Sequence, residues 1–372
     1  MKRLLVLAAL LVFAAPVAQA GGCLPSRCGT TSSALPGSRH LYLRPSGSTG
    51  PLVVYDVATR AKHAALPHGI ASADGRTFVS AISTQTGPTM VRRFALPSGR
   101  LVASGRVQGR LIVQAVSRDG RQVVLAGAGS RATRLVVLEG MRPARSVTLR
   151  GAYEVETLSP DGRRLFLIHW KNNRYDLQLY DFTRRRLLPT PTLEPSGEIE
   201  KMVGQAQTGV ATRNGRWLLT LYTEGDGSSF VHALDLGQGI GHCVDLPVSG
   251  MLPAIGASAL VLSPDETQLF VANPVLGFVS TIELRRPRVA RTTHFRTPLR
   301  ATTYSYGIGP NAASSRDGRT IAFSGSKLVW RYDTRTRRLR GPFRTGALVA
   351  GVAFAPDGRV VALAPNGSMK RI

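Results

Sequence analysis

Short apolar runs alternate with polar turns along most of the chain. Runs such as residues 123–125, 165–168 and 321–323 are rich in β-branched, aromatic and leucine side chains, and Gly, Pro, Asn and Ser bound them. Runs of this kind are typical of β-strands. Because no long segment has the 3.6-residue periodicity of an amphipathic helix, the pattern predicts an all-β fold.

A turn of the type Ser-x-Asp-Gly-Arg precedes many of these runs. The seven copies are centred on Asp74, Asp119, Asp161, Asn214, Asp265, Asp317 and Asp357. Successive centres lie 40 to 53 residues apart, which is the length of a four-stranded propeller blade. Gly and Asp tolerate positive φ, so Asp-Gly fits a tight hairpin. We predict a single seven-bladed β-propeller over residues 39–372.

The two ends of the repeat region complement each other. The last repeat lacks outer strands, whereas residues 51–56 and 62–66 resemble third and fourth strands with no turn motif before them. A sheet shared by the N- and C-terminal strands would complete the last blade and remove exposed sheet edges. Residues 41–43 form a further candidate strand, so an eight-bladed propeller stays open.

The N-terminus has the pattern of an export signal. Two basic residues precede an apolar run at 4–15, and residues 18–20 read Ala-Gln-Ala. This pattern predicts a signal peptide over residues 1–20, followed by a flexible segment over 21–38. The mature protein is expected to be extracellular, periplasmic or associated with the cell envelope.

Three cysteines follow the signal peptide: Cys23, Cys28 and Cys243. Residues 20–23 partly match a lipobox, so Cys23 is a candidate for lipid attachment. If Cys23 carries lipid, a disulfide between Cys28 and Cys243 becomes possible; otherwise Cys23 and Cys28 are the local pair. In that case we expect Cys243 to be a buried strand thiol. Membrane contact is expected to be peripheral or through the lipid only.

The composition is strongly basic, with 48 Lys and Arg against 22 Asp and Glu and a net charge of +26. In a four-stranded blade, the first-to-second and third-to-fourth connections emerge on one side, which we call the turn face. The candidate residues for binding an anionic surface lie in these connections and are Arg184, Arg185, Arg186, Arg285, Arg286, Arg335, Arg337 and Arg338. The alternative is an Arg-rich composition with solvated turns. Nucleic acid is not expected as a partner, because the turns lack interleaved aromatic residues.

The opposite face carries a second set of candidates. Polar and aromatic residues there can bind a small polar ligand at the mouth of the central channel, and they are Glu154, Glu156, Gln207, Asn311, Tyr304, Tyr306 and His169. Carboxylates and amides are suited to such a role. The alternative is that these side chains hydrogen-bond to trapped channel water.

Known catalytic and metal-binding motifs are absent from the sequence. No nucleophile elbow, phosphate loop or metal-ligand spacing occurs, so we predict no catalytic residue, no metal and no cofactor. The segments 158–167 (Leu-Ser-Pro-Asp-Gly-Arg-Arg-Leu-Phe-Leu), 262–265 and 354–359 resemble the repeat of exported bacterial propellers of the TolB-like and YncE (YVTN) groups. The resemblance covers about residues 40–372 and implies an extracytoplasmic binding or scaffolding role.

We therefore expect a monomeric, non-enzymatic propeller of the cell envelope. Its partner would be a protein or an anionic envelope component that contacts the basic face. The alternative is a propeller hydrolase, similar to lactonases, with a polar site at the channel mouth.

Overall fold

A computed structural model describes residues 32–33, 39–43, 51–84, 87–128, 132–171, 174–189, 192–197, 204–250, 252–301 and 311–372. The signal peptide, Cys23, Cys28, Tyr304 and Tyr306 lie outside the described residues. The described chain forms eight antiparallel sheets, which follow one another in sequence order. The fold is an eight-bladed β-propeller, so the eight-blade alternative is confirmed.

Each sheet is an up-and-down meander in chain order. Seven sheets have four strands, and the eighth has three. Sheets 1 to 4 contain β1 (Ser32–Ser33), β2 (His40–Leu43), β3 (Leu52–Asp56), β4 (Ala61–Leu66); β5 (Ile70–Ala71), β6 (Thr77–Ser83), β7 (Thr89–Ala95), β8 (Arg100–Val107); β9 (Ile112–Val116), β10 (Gln122–Ala128), β11 (Ala132–Glu139), β12 (Arg142–Arg150); β13 (Tyr153–Leu158), β14 (Arg164–Lys171), β15 (Arg174–Asp181), β16 (Arg186–Leu187).

Sheets 5 to 8 complete the series. They contain β17 (Gln205–Ala211), β18 (Trp217–Thr223), β19 (Ser229–Asp235), β20 (Ile240–Asp245); β21 (Ala259–Leu262), β22 (Gln268–Asn273), β23 (Phe278–Glu283), β24 (Arg288–His294); β25 (Asn311–Ser314), β26 (Thr320–Gly325), β27 (Leu328–Asp333), β28 (Leu339–Arg344); β29 (Gly351–Phe354), β30 (Val360–Leu363), β31 (Met369–Arg371). One short helix, α1 (Leu252–Ile255), precedes sheet 6.

The seven repeated turns join the first and second strands of sheets 2 to 8, and their residue types explain their shape. In sheet 7 the hydroxyl of Ser315 donates to Asp317 Oδ1 at 2.7 Å and accepts from the backbone N–H of Thr320 at 2.9 Å. Asp317 Oδ1 also accepts the N–H of Arg319. Gly318 lies between them with φ at 71°, a conformation that glycine adopts without a Cβ penalty.

Side-chain packing between sheets forms the core. Each of eight clusters of buried hydrophobic residues lies between two sheets that are neighbours in the ring. One of them joins the last sheet to the first, where Leu41 and Val53 pack with Ala353 and Leu363. The ring is therefore closed.

The expected closure through a sheet shared by both chain ends is wrong. Among the described strands, β1 pairs with β2 alone and β31 with β30 alone. Ser32 and Ser33, within the segment 21–38, supply the first strand of sheet 1. The first sheet is thus complete without C-terminal residues, and the two sheets meet through their faces.

Cys243 also differs from its expected environment. It lies in strand β20, opposite His232, but it is exposed and not buried. No helix among the described residues is long and apolar enough to cross a membrane.

Candidate anion-binding face

The third-to-fourth connections place arginines on the turn face by a common local structure. In sheet 7 the side chain of Asp333 accepts the backbone N–H groups of Arg335 and Thr336. These bonds close the turn, and Arg337 follows with φ at 62°. Non-glycine residues seldom adopt this left-handed conformation.

The same left-handed position recurs in other sheets. Arg60 and Arg185 occupy it with φ at 57° and 54°, whereas Gly99 and Gly239 occupy it in sheets 2 and 5. The conformation costs roughly 1 kcal/mol for a residue with a Cβ. Three sheets therefore carry an arginine where glycine would be less strained.

Contacts between turns hold them on one side of the ring. The N–H of Asp74 donates to the carbonyl of Arg118 at 3.2 Å, which joins sheets 2 and 3. Arg118 Nε donates to the carbonyl of Arg213 at 2.8 Å, which joins sheets 3 and 5. The backbone N–H of Arg213 donates to the carboxylate of Glu266 in sheet 6. The basic turns thus share one face.

The eight candidate arginines of the turn face are all exposed. Arg184 Nε lies 3.8 Å from Asp181 Oδ2. Within the part of the chain that the structure describes, the other seven form no ion pair. Their charge is therefore available to a partner.

The carboxylates of this face are already used within the turns. Asp181 Oδ1 accepts the backbone N–H groups of Thr183 and Arg184, and these bonds together with the nearby arginine hold its pKa below the ordinary value. The hydroxyl of Ser315 has the same effect on the pKa of Asp317. Acidic groups in these positions stabilise turns and leave an excess of positive charge outside them.

Four of the channel candidates, Glu154, Glu156, Gln207 and Asn311, lie on first strands. The first strands pack against each other around the axis of the ring. Three of these strands contain a bulge at a polar residue. The extra residues are Gln114 in β9, Glu156 in β13 and Gln207 in β17. Gln114 and Glu156 are buried, and Gln207 Nε2 donates to Thr223 Oγ1 at 3.0 Å. Bulges often re-aim side chains near functional sites.

The remaining channel candidates are spread over two sheets. Glu154 is in β13, and His169, in the adjacent strand, stacks on Tyr153 at 4.5 Å between ring centroids. Asn311 begins β25 in sheet 7, where its Nδ2 donates to the carbonyl of Val349 at 3.3 Å. Glu154, Glu156 and His169 thus lie in one sheet, where His169 pairs opposite Tyr153 and Glu154 opposite Ile168, and Asn311 is separate from them. Within the described ranges, no three His, Cys, Asp or Glu side chains are grouped to hold a metal ion.

Sequence reasoning missed a cleft between sheets 3 and 4. Arg145, Arg163 and Arg185 line it. Of these, only Arg185 was a candidate from the sequence, and no shared site was predicted. No single segment of the sequence indicates this cleft, because its lining residues come from two sheets.

The chain was compared with family models, curated proteins and solved structures. No family model matches the chain, and no curated protein matches its sequence. The "Dos1 propeller" structure is similar with a TM-score of 0.52 and 11% identity, over 93% of this chain and 92% of that one. Hydrazine synthase from Kuenenia stuttgartiensis gives a TM-score of 0.47 and 14% identity, over 90% of this chain and 99% of that one. The Cps50 (Swd1) propeller domain from Myceliophteria thermophila gives a TM-score of 0.43 and 13% identity, over 92% of this chain and 95% of that one. The similarity to the first structure supports the β-propeller fold.

Proposed function

We propose that this protein is an exported, non-enzymatic binding propeller whose turn face contacts an anionic component of the cell envelope. The observation that carries the proposal is the set of exposed arginines in the third-to-fourth turns of sheets 4, 6 and 7, of which all but Arg184 form no ion pair with a described residue. The propeller supplies a rigid scaffold for them. The apolar N-terminal run and the Ala-Gln-Ala segment support export.

The electrostatic argument depends on where the charge lies. Exposed guanidinium groups attract an anionic surface over about a Debye length, roughly 10 Å at 0.1 M salt. Each arginine near an anionic bilayer contributes about 1 kcal/mol. Three of them therefore change affinity by about a hundredfold, which a binding assay resolves easily.

The test compares two triple variants of equal charge change. The first, Arg286→Gln, Arg335→Gln and Arg338→Gln, removes charge from the turn face. The second changes Arg106, Arg150 and Arg344 to Gln; these residues are exposed near the far ends of fourth strands, away from the turn face. Binding to vesicles containing phosphatidylglycerol is measured by co-sedimentation.

We expect the turn-face variant to lose most of its binding and the control variant to keep it. Binding of the parent protein should also disappear near 1 M salt, where the Debye length is about 3 Å. Equal losses in both variants, or retention that high salt does not weaken, would show that net charge or another surface is responsible.

A second candidate is a hydrolase at the channel mouth. The observation in its favour is the recurrence of bulges at Gln114, Glu156 and Gln207 in three successive inner strands. A panel of lactone and ester substrates, assayed with the parent protein and with Glu156→Gln, tests it. Turnover by the parent that the variant abolishes would favour the hydrolase.

A further inference from the structure

The cleft between sheets 3 and 4 lies at the turn-face end of the two sheets. The fourth strand of sheet 4, β16, has two residues, whereas the fourth strands of the other four-stranded sheets have six to nine. Beyond β16 the chain stays beside β15, because the backbone N–H groups of Leu188 and Thr192 donate to the carbonyls of Leu179 and Leu177. The cleft lies at the other end of β15, between the turns of sheet 4 and the beginning of β12, the outer strand of sheet 3. It has a volume of about 770 Å³, within the range of small-molecule sites.

Three arginines from different segments line the cleft. Arg145 comes from β12, Arg163 from the repeated turn of sheet 4, and Arg185 from the turn before β16. Among the described residues that line the cleft, none carries a carboxylate. Of the nearby acids, Asp161 accepts the hydroxyl of Ser159, and Asp181 is bound within its own turn. The three guanidinium groups form no ion pair among the described residues, so their charge is available to a bound anion.

Aromatic side chains add an apolar wall to this basic site. The guanidinium carbon of Arg145 lies 5.1 Å from the centroid of the Phe182 ring, a distance at which the cation is attracted to the ring face. Phe182 and Tyr180 are both buried and both line the cleft. A ligand with an anionic head and a flat apolar body would contact both parts.

The charge of the site identifies the head group. A guanidinium group binds a carboxylate or a phosphate in a bidentate manner, so one arginine satisfies a carboxylate. Three guanidinium groups match an anion with three terminal oxygens and nearly two charges, which a phosphate monoester carries near neutral pH.

We propose that the cleft formed by Arg145, Arg163 and Arg185 binds the phosphate monoester group of a ligand, with Phe182 against its apolar part. This inference rests on the proposed function, because it makes the cleft a specific anchor on the turn face. The phosphate belongs to a soluble ester or to a lipid headgroup, and the experiment distinguishes these two sources.

The experiment uses two variants that change the same residue types. The cleft variant carries Arg145→Gln, Arg163→Gln and Arg185→Gly. The control variant carries Arg335→Gln, Arg337→Gly and Arg338→Gln. Glycine is used at 185 and 337 because both positions are left-handed, so it removes the side chain without adding strain. Urea denaturation first establishes that both variants are as stable as the parent or more so.

Phenyl phosphate is titrated into each protein by calorimetry near pH 7.5, with benzoate as the comparison ligand. We expect the parent to bind phenyl phosphate with a dissociation constant of about 0.1–1 mM and benzoate at least about tenfold more weakly. The control variant should match the parent, and the cleft variant should lose about tenfold or more. No binding by the parent, or equal binding by the cleft variant and the parent, would overturn the proposal.

Vesicles containing phosphatidic acid then separate the two sources. If their binding falls further in the cleft variant than in the control, the lipid headgroup is the source; equal falls identify a soluble ester. A failure of the proposed function would look different. If no anionic vesicle retains the parent at low salt while phenyl phosphate still binds to it, the proposal of an anionic docking face is wrong, whereas the phosphate site in the cleft is supported.

Discussion

The turn face depends on seven repeated turns, and Ser315→Ala tests what holds one of them. The Ser315 side chain is mostly buried, with 9% of the residue exposed. Its hydroxyl accepts the backbone N–H of Thr320 and donates to Asp317. Removing it leaves the N–H of Thr320 without its acceptor, which costs about 1–3 kcal/mol. The Asp317 side chain is 60% exposed, so water replaces most of that contact.

We expect Ser315→Ala to lower the free energy of unfolding by about 2 kcal/mol. Urea denaturation followed by tryptophan fluorescence measures it as a shift of the midpoint at unchanged slope. The matched control is Ser315→Thr, because Thr212 performs this role in sheet 5, where its hydroxyl accepts the N–H of Trp217 at 2.9 Å. That variant should lie within about 0.5 kcal/mol of the parent.

The effect of Ser315→Ala also depends on pH. The Ser315 hydroxyl holds the pKa of Asp317 below its ordinary value of 3.8. A depressed pKa contributes stability that is present above the ordinary value and is lost as the pH falls through the native one. The difference in the free energy of unfolding between the parent and Ser315→Ala should therefore become smaller at acidic pH. Equal midpoints for the alanine and threonine variants at neutral pH would refute the reasoning.

Three further predictions concern other contacts. Glu266 has φ at 57° at the turn position where the other six repeated turns have glycine, and its carboxylate accepts the backbone N–H of Arg213. Both Glu266→Ala and Glu266→Gly lose this contact, but only alanine keeps the backbone strain, so the alanine variant should be about 1 kcal/mol less stable than the glycine variant. Equal urea midpoints of the two variants would contradict this. The hydrogen bond from Arg39 lowers the pKa of Asp56, so the Asp56→Asn variant should be less stable than the parent at neutral pH. This difference in the free energy of unfolding should shrink as the pH falls below 3.8. A difference in urea midpoints that does not change with pH would argue against the Arg39–Asp56 pair. Burial raises the pKa of Tyr42 to about 12. The phenolate absorbance of the parent should therefore exceed that of the Tyr42→Phe variant only near pH 12. A larger absorbance of the parent already near pH 10 would show that the Tyr42 ring is exposed.

The sequence was sufficient to predict the repeat and the all-β fold, because the turns depend on local residue types. The blade count was harder, since sheet 1 has no Ser-x-Asp-Gly turn among the described residues. The strand that completes this sheet is Ser32–Ser33, which has no apolar residue to signal it. Because this first strand was not recognised, we expected the N-terminal strands to share a sheet with the C-terminal strands.

The candidate sites were only partly predictable for a similar reason. Arginines could be assigned to the turn face from their positions after Asp in hairpins. The bulges at Glu156 and Gln207 depend on strand register, and the cleft depends on how β12 approaches the turns of the neighbouring sheet. Neither relation is encoded in a single segment.

Closure by packing has an evolutionary consequence. Among the described residues, the strand pairings of each sheet lie inside one contiguous stretch of about 45 residues, so each stretch is a module. Duplication or loss of a whole module would leave the strand pairings of the other sheets intact. A ring built in this way can change its number of blades by unequal recombination, whereas any site lined by two sheets depends on which modules remain neighbours.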